Sequence, residues 1–297
     1  MIKLPNECYY MIFNNFQNNS KSLFSCALVN RQWCRIIIPI LWSEPEYHFK
    51  DIRLIKILLL MLKVEEKALL VPYKINFQRH TNPLFEYTNY IKSVGYELYS
   101  GVKKFLGNKK YQKNINEVEN AIKCSLIAMI LRTGKNLKYL YLDEIICNKI
   151  IIEKLYENTT ITSIKLYDFN DKFKPKAINE LVKILYKNST LTSLNLESIL
   201  FGFIELKTLL EAFYENTILN SLSLCIEQID TEEGKMLATF LSKNTTLTSF
   251  NLCGYDKHWF FSNNFGLIGG IAFANALYKN TTLTSLCLWN NKLGPED

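Results

Sequence analysis

A nine-residue pattern, Asn-Thr-Thr-Leu-Thr-Ser-Leu-x-Leu, recurs five times with small changes in the second half of this chain. The copies open at successive steps of 30, 28, 28 and 36 residues, and a weaker copy opens at Gly134. Similarity at a fixed period is the sequence signature of a protein in which like repeats stack on one another. The asparagines that open the five copies are Asn158, Asn188, Asn216, Asn244 and Asn280.

Each copy predicts one short strand and one helix. Its last three residues alternate apolar, variable, apolar, which predicts a strand with one face inward. The seventh and third residues before each asparagine are apolar, a spacing that places both on one face of a helix. We predict that the asparagine ends this helix in the left-handed conformation, where Asn commonly substitutes for Gly. The apolar helix pairs are Ile151 and Leu155, Leu181 and Leu185, Leu209 and Phe213, Leu237 and Leu241, and Phe273 and Leu277.

One strand and one helix cannot bury these faces alone, whereas a stack of repeats forms a continuous core. The pattern resembles the leucine-rich repeat of the long, strand-plus-helix kind found in ribonuclease-inhibitor-like proteins. The resemblance covers residues 127–297 and implies an α/β solenoid with a curved parallel sheet inside and helices outside. The asparagine expected three residues after each strand is present only as Asn291, so we expect no regular asparagine ladder there.

A second motif occupies residues 1–45. It opens with Leu4-Pro5-x-Glu7, continues through Leu28-Val29-Asn30-Arg31-x-Trp33, and ends with Pro39-x-Leu41-Trp42. The spacing of apolar residues predicts three short helices, of which the third ends at Pro39. Three short helices bury little surface by themselves, so we expect a partner or the following domain to complete their core.

This combination resembles an F-box over about residues 2–45. The resemblance implies docking to the Skp adaptor subunit of a cullin-based ubiquitin ligase. The alternative is that the same residues form the core of a helical cap on the repeats. The positions that match the family's adaptor-facing surface are Leu4, Pro5, Ile12, Leu28 and Val29.

Residues 46–126 form either a helical connecting region or degenerate repeats. Residues 51–70 have helical periodicity with a lysine- and glutamate-rich polar face. Residues 85–105 are rich in tyrosine and predict either a helix or a degenerate first repeat. Neither stretch carries a motif for chemistry.

No catalytic, cofactor or metal site is predicted. The chain contains none of the common nucleophile, metalloprotease or phosphate-loop motifs, so we expect a protein that is not an enzyme. The eight cysteines include no Cys-x-x-Cys pair, and the three histidines are isolated in sequence. These histidines are His48, His80 and His258.

Charge and hydropathy argue against nucleic acid and membrane partners. The formal charge of +7 comes mostly from lysines that are spread along the chain, which is not the clustered pattern of a nucleic-acid-binding surface. The densest apolar run, residues 55–62, is too short to span a bilayer. The chain opens without a signal peptide, so we expect a cytoplasmic or nuclear protein, or one found in both.

The repeats predict a protein-binding surface on the concave side of the sheet, where such proteins usually hold ligands. Residues that flank the inward strand leucines project from this face. The longest step contains an aromatic insertion at residues 254–265, which either folds over a neighbouring repeat or joins the binding site. The residues that we expect to contact a target are Tyr139, Tyr141, Lys165, Tyr167, Asn195, Glu197, Asn251 and Trp289.

Together the two resemblances imply the substrate-recognition subunit of a cullin-based ubiquitin ligase, in which the F-box docks to the adaptor and the repeats capture an unknown protein substrate. The alternative is a leucine-rich repeat scaffold or inhibitor that acts outside a ligase. The sequence stops at residues 290–297 without a further helix. We therefore expect the last strand to lie at an open end of the stack. Either the gene model is truncated, or the chain is prone to self-association.

Overall fold

The computed structural model describes residues 4–17, 19–75, 85–107, 114–167, 172–199, 201–226, 229–254 and 263–294. The chain divides into two compact units, Met1–Tyr139 and Leu140–Asp297. Residue 127, where we placed the start of the repeats, lies inside a helix that spans Ile115–Thr133.

The first unit is mainly helical. Single 3-10 turns at Glu46–Lys50, Val71–Tyr73 and Tyr87–Tyr90 connect its longer elements. Residues 51–70 form two helices rather than one, and the tyrosine-rich stretch forms a short strand followed by a helix. The elements are α1 (Asn6–Asn14), α2 (Ser20–Ala27), α3 (Arg31–Ser43), α4 (Ile52–Leu60), α5 (Val64–Ala68), β1 (Ser93–Val94), α6 (Tyr96–Leu106) and α7 (Ile115–Thr133).

The three helices predicted for the N-terminal motif are α1, α2 and α3, but α3 does not end at Pro39. It continues through the proline to Ser43. A proline inside a helix costs about 3 kcal/mol, whereas burying an isoleucine side chain contributes about 1.5–3 kcal/mol. Ile37 and Ile40 flank Pro39 and are both buried, so their burial offsets the cost of the interruption.

A buried ion pair connects α5 to α7 in the first unit. Glu66 is 2% exposed, and its carboxylate accepts hydrogen bonds from Arg132 Nε at 2.6 Å and Arg132 Nη2 at 3.2 Å. The backbone N–H of Lys63 donates to the same carboxylate at 2.6 Å. A buried carboxylate with these partners fixes how the two helices pack, because the loss of one partner leaves an uncompensated charge.

The second unit alternates strands and helices, and it begins inside strand β2. Its strands β2 to β7 follow one another in sequence order across one sheet, which confirms the predicted α/β class. The elements are β2 (Tyr139–Leu142), α8 (Lys149–Glu157), β3 (Ser163–Tyr167), α9 (Lys174–Lys187), β4 (Ser193–Ile199), α10 (Phe203–Glu215), β5 (Ser221–Ile226), α11 (Thr231–Lys243), β6 (Ser249–Gly254), α12 (Gly266–Lys279) and β7 (Ser285–Cys287).

Strands β3 to β7 pair in parallel, and the sequence pattern sets their register. The serine of each nine-residue copy lies opposite the serine of the next, from Ser163 through to Ser285. The two leucine positions after each serine alternate with half-buried residues, and in β3 to β6 they are at most 1% exposed. The predicted helix residues are buried as well, except Leu277 in α12.

The asparagines that end the helices are not left-handed, so that prediction is wrong. Asn188 has φ −82° and ψ 127°, which is extended backbone, and the other four asparagines are extended in the same way. The reason is that the side chain makes the turn. Asn188 Oδ1 accepts hydrogen bonds from the backbone N–H groups of Thr190 at 2.9 Å and Leu191 at 2.8 Å, an Asx turn that needs no positive φ.

Three of these asparagines, Asn188, Asn216 and Asn280, also bind their repeat to the one before it. Asn188 Nδ2 donates to Leu155 O at 3.2 Å and to Asn158 O at 3.1 Å. Asn216 makes the corresponding bond to Leu185 O at 2.7 Å, and Asn280 donates to carbonyl groups of the preceding repeat. An asparagine ladder is therefore present, but it lies before the strands and not after them.

Replacing Asn188 with alanine will destabilise the second unit. The substitution removes a buried side chain and leaves two backbone N–H groups and two carbonyl groups without their partner, so we expect a loss of about 2–4 kcal/mol. Urea unfolding followed by circular dichroism measures the change. Asn220→Ala is the control, because Asn220 lies at a strand start and is exposed; equal destabilisation by both substitutions would contradict the role given to the ladder.

Candidate protein-binding surfaces

Helices α1 to α3 pack around a small apolar core. Trp33 lies edge-on to Phe13 with ring centroids 5.0 Å apart, and Tyr9 lies 5.9 Å from the same tryptophan. Asparagine side chains cap the starts of the second and third helices, since Asn19 Oδ1 accepts from Ser22 N and Asn30 Oδ1 accepts from Trp33 N. The buried core residues are Phe13, Leu23, Ala27, Ile37 and Ile40.

The five residues predicted to face an adaptor lie outside this core. Leu4 is 43% exposed, Ile12 44%, Leu28 72% and Val29 61%, and Pro5 is exposed as well. The alternative that they form the core of a helical cap is therefore wrong. We call Leu4, Pro5, Ile12, Leu28 and Val29 the docking set.

Sequence reasoning missed several exposed apolar residues in the same helices. Between α1 and α3 lies a groove of about 470 Å³ whose lining includes Tyr10, Met11 and Ile36. The signal was present in the helical spacing, because Met11 is two residues before the buried Phe13 and so does not share its face of α1. The additional exposed apolar side chains are Tyr10, Met11, Phe16 and Phe24.

The comparison with family models identifies this segment. A model described as F-box-like matches residues 1–47. Residues 1–47 form an F-box-like domain. The domain contains α1, α2 and α3 together with the docking set. No curated protein matches the chain.

The second unit presents a sheet face whose side chains alternate with the buried leucines. We call it the open face. Lys165 and Glu197 lie on it in neighbouring strands and form an ion pair, with Nζ and Oε2 2.5 Å apart. Tyr167 is paired with Glu197 in the strand register, and Lys165 is paired with Asn195. The sheet therefore brings four of the predicted target-binding residues together across β3 and β4.

The other four predicted residues are placed differently. Tyr141 is only 5% exposed, with its ring centroid 6.3 Å from that of Tyr167, so it cannot offer contact area to a target. Tyr139 is the last residue of the first unit. Asn251 lies on β6 and donates to Ser223 Oγ at 3.1 Å, and Trp289 follows β7 with 64% of its surface exposed.

Cys225, Cys253 and Cys287 lie near Asn251 on the open face, at positions where the strand alternation predicts residues that project from it. Cys225 and Cys253 are register partners, and the Sγ atoms of Cys253 and Cys287 are 3.2 Å apart. Burial and the neighbouring thiols raise the pKa of Cys253 to about 12, and burial also raises the pKa of Cys225. Both thiols therefore stay protonated and uncharged near neutral pH.

A pair of asparagines holds the chain after β6. Asn263 Oδ1 accepts from Ile229 N at 2.9 Å, and Asn263 Nδ2 donates to Asn291 Oδ1 at 2.8 Å. Asn291 Nδ2 donates to Leu252 O at 2.6 Å. Phe265 ends the aromatic insertion and is buried against Phe273. Residues 255–262 of the insertion lie outside the described residues, so both alternatives for it stay open.

The described ranges lack two further kinds of feature. No helix there is long and apolar enough to cross a membrane. The same residues contain no group of three or more His, Cys, Asp or Glu side chains arranged to hold a metal ion. Of the three histidines, His80 and His258 lie outside the described residues.

Proposed function

We propose that this chain is the substrate-recognition subunit of a cullin-based ubiquitin ligase. Its F-box-like domain binds the Skp-type adaptor, as F-box domains generally do, and its strand–helix repeats, which resemble leucine-rich repeats, bind the target protein. The observation that carries the proposal is the exposure of the docking set on helices whose own core is already filled.

The docking set has the properties of an interface. Leu28 and Val29 occupy the turn between α2 and α3 and are more exposed than Leu4 and Ile12. Covering a leucine or valine side chain contributes about 1.5–3 kcal/mol, and exposed apolar residues concentrated in one small domain mark an interaction site. Because Phe13, Leu23 and Ile37 fill the core separately, an adaptor can cover the docking set without unfolding the helices.

The open face supports the second half of the proposal. Lys165 and Glu197 neutralise each other, so the face carries no net charge where they meet and selects its target by shape and local polarity. Tyr167 lies beside this pair, and a rigid aromatic side chain contributes large contact area at low entropic cost. Trp289 provides an exposed aromatic residue at the other end of the sheet.

The chain acts in this proposal by tethering and not by chemistry of its own. Holding a target beside the ligase raises the effective concentration of the target's lysines near the activated ubiquitin. No side chain of this protein needs to be a nucleophile, and the raised pKa values of Cys225 and Cys253 fit that role.

The double substitution Leu28→Ala and Val29→Ala will weaken binding of the purified Skp-type adaptor by at least about 30-fold, because hot-spot truncation costs about 2 kcal/mol or more. Calorimetric titration measures the affinity, and circular dichroism should remain unchanged because neither residue is in the core. The matched control is Val64→Ala with Val71→Ala, two valines that are 84% and 71% exposed outside the F-box-like domain. Undiminished binding by the Leu28 and Val29 variant would rule out this docking surface.

Tyr167→Ala and Trp289→Ala will each weaken target capture by about 1–3 kcal/mol while leaving adaptor binding intact, because each removes aromatic contact area from the open face. Quantitative mass spectrometry of proteins isolated with each variant measures the loss. Tyr186→Ala is the matched control, since Tyr186 is 57% exposed on α9. A target that depends on Tyr186 and ignores Tyr167 would place the binding site on the helices instead.

A further inference from the structure

Two cysteine thiols lie next to each other on the open face. Cys253 is on β6 and Cys287 is the last residue of β7, and their Sγ atoms are 3.2 Å apart. Both cysteines are free and only partly buried, so a small reagent in solution reaches them. A disulfide bond is about 2.05 Å long, so the two sulfurs need to move only roughly 1 Å closer to be joined.

The pairing of β6 with β7 holds the two thiols in place. Asn251 of β6 is the register partner of Cys287, and Cys253 is two residues after Asn251. Side chains two residues apart on a strand lie on the same face of the sheet. Both thiols therefore project from the open face at positions that the sheet register fixes.

Hydrogen bonds orient the pair for a reaction. Cys253 Sγ donates its single proton to Asn251 Oδ1, 2.6 Å away. In the contact between the two thiols, Cys287 is therefore the donor and the Cys253 sulfur is the acceptor. A lone pair of the Cys253 sulfur thus faces Cys287, which is the arrangement that a bond between the two sulfurs requires.

We propose that Cys253 and Cys287 are a redox site, at which a peroxide converts the two thiols into a disulfide that a thiol reductant reverses. The site joins two neighbouring strands of the open face. Disulfide exchange with an external thiol restores both cysteines, so the modification is a switch and not permanent damage.

The reaction has two balanced steps. In the first, the Cys287 sulfur attacks hydrogen peroxide, the O–O bond breaks, and the products are a sulfenic acid on Cys287 and one water. In the second, the Cys253 sulfur attacks the sulfur of that sulfenic acid. The S–S bond forms as the S–O bond breaks, and the proton of Cys253 leaves with the hydroxyl group as a second water. The two thiols lose two electrons in total, and the peroxide gains them.

The surroundings of Cys253 decide the order of these steps. Burial and the neighbouring thiols raise the pKa of Cys253 to about 12, which keeps it protonated near neutral pH, so the attack on peroxide falls to Cys287. Cys253 reacts second because its sulfur is already in contact with Cys287. A reaction between groups held together in this way has a high effective concentration, which offsets the low fraction of thiolate.

The disulfide also changes what the open face offers to a target, a consequence that rests on the proposed function. Oxidation removes the S–H group that donates to Asn251 Oδ1, while Asn251 Nδ2 keeps its hydrogen bond to Ser223. A target that fits the reduced face then buries this oxygen without a donor, which is unfavourable. We expect oxidation to weaken target capture by at least about fivefold.

The test treats the purified full chain with hydrogen peroxide, alkylates the remaining thiols and maps the peptides by mass spectrometry without reduction. We expect a cross-linked pair of peptides that joins Cys253 to Cys287 and disappears after treatment with dithiothreitol. Cys225→Ser is the matched control, because Cys225 lies opposite Cys253 in β5; this variant should still form the cross-link. The map is read on the chain alone, so it tests the redox site whether or not the target-binding proposal holds.

Target capture with and without peroxide tests the consequence for the open face. Cys253→Ser cannot form the disulfide, but its hydroxyl group still donates to Asn251. We expect the capture of target by this variant to be the same with and without peroxide, whereas capture by the wild-type chain falls.

Three results would overturn the proposal. The first is a wild-type chain in which both thiols stay reduced under peroxide that fully oxidises free cysteine. The second is a cross-link that joins Cys253 to Cys225 instead of Cys287. The third, which would remove the effect on targets, is an equal loss of capture by the wild-type chain and by Cys253→Ser.

Discussion

The second unit depends on the hydrogen bonds made by the asparagine side chain at the end of each repeat helix. Asn188 closes the turn into its own strand through Oδ1 and binds the preceding repeat through Nδ2. One residue thus sets both the local turn and the spacing between repeats. Because the turn fixes where the strand begins, the serines fall into register, and the leucines after them all reach the same side of the sheet. The open face exists because that register is kept from β3 to β7.

The apolar residues of the F-box-like domain fall into two groups, one that forms the core and one that is exposed. Phe13, Trp33 and Ile37 satisfy the core, so the docking set contributes little to folding and remains available for binding. On the open face of the second unit, Lys165 and Glu197 neutralise each other in an ion pair. Trp289, in contrast, remains exposed. The chain therefore has two exposed surfaces, the docking set and the open face, whose residues are distinct from those of the cores.

Periodicity predicted the helices, the strands and their register, because each depends on residues within one repeat. The predictions from periodicity were wrong where contacts with other residues of the chain decide the conformation. Asn188 satisfies its turn through side-chain hydrogen bonds and not a positive φ, and α3 passes Pro39 because Ile37 and Ile40 are buried. Tyr141 alternates with leucines like an exposed residue yet is buried. Asn263 was missed because its partners, Ile229 and Asn291, are 34 and 28 residues away in the chain.

Amide hydrogen exchange of the full chain, measured with and without a purified Skp-type adaptor, tests the central claim directly. The account predicts that adaptor binding slows amide exchange in helices α1 to α3 and in the other described residues between 4 and 29, where the docking set lies. It also predicts unchanged exchange in β3 to β6, which belong to the second unit. Protection confined to the strands, or no protection at residues 4–29 at saturating adaptor, would contradict the assignment of the N-terminal helices as the docking domain.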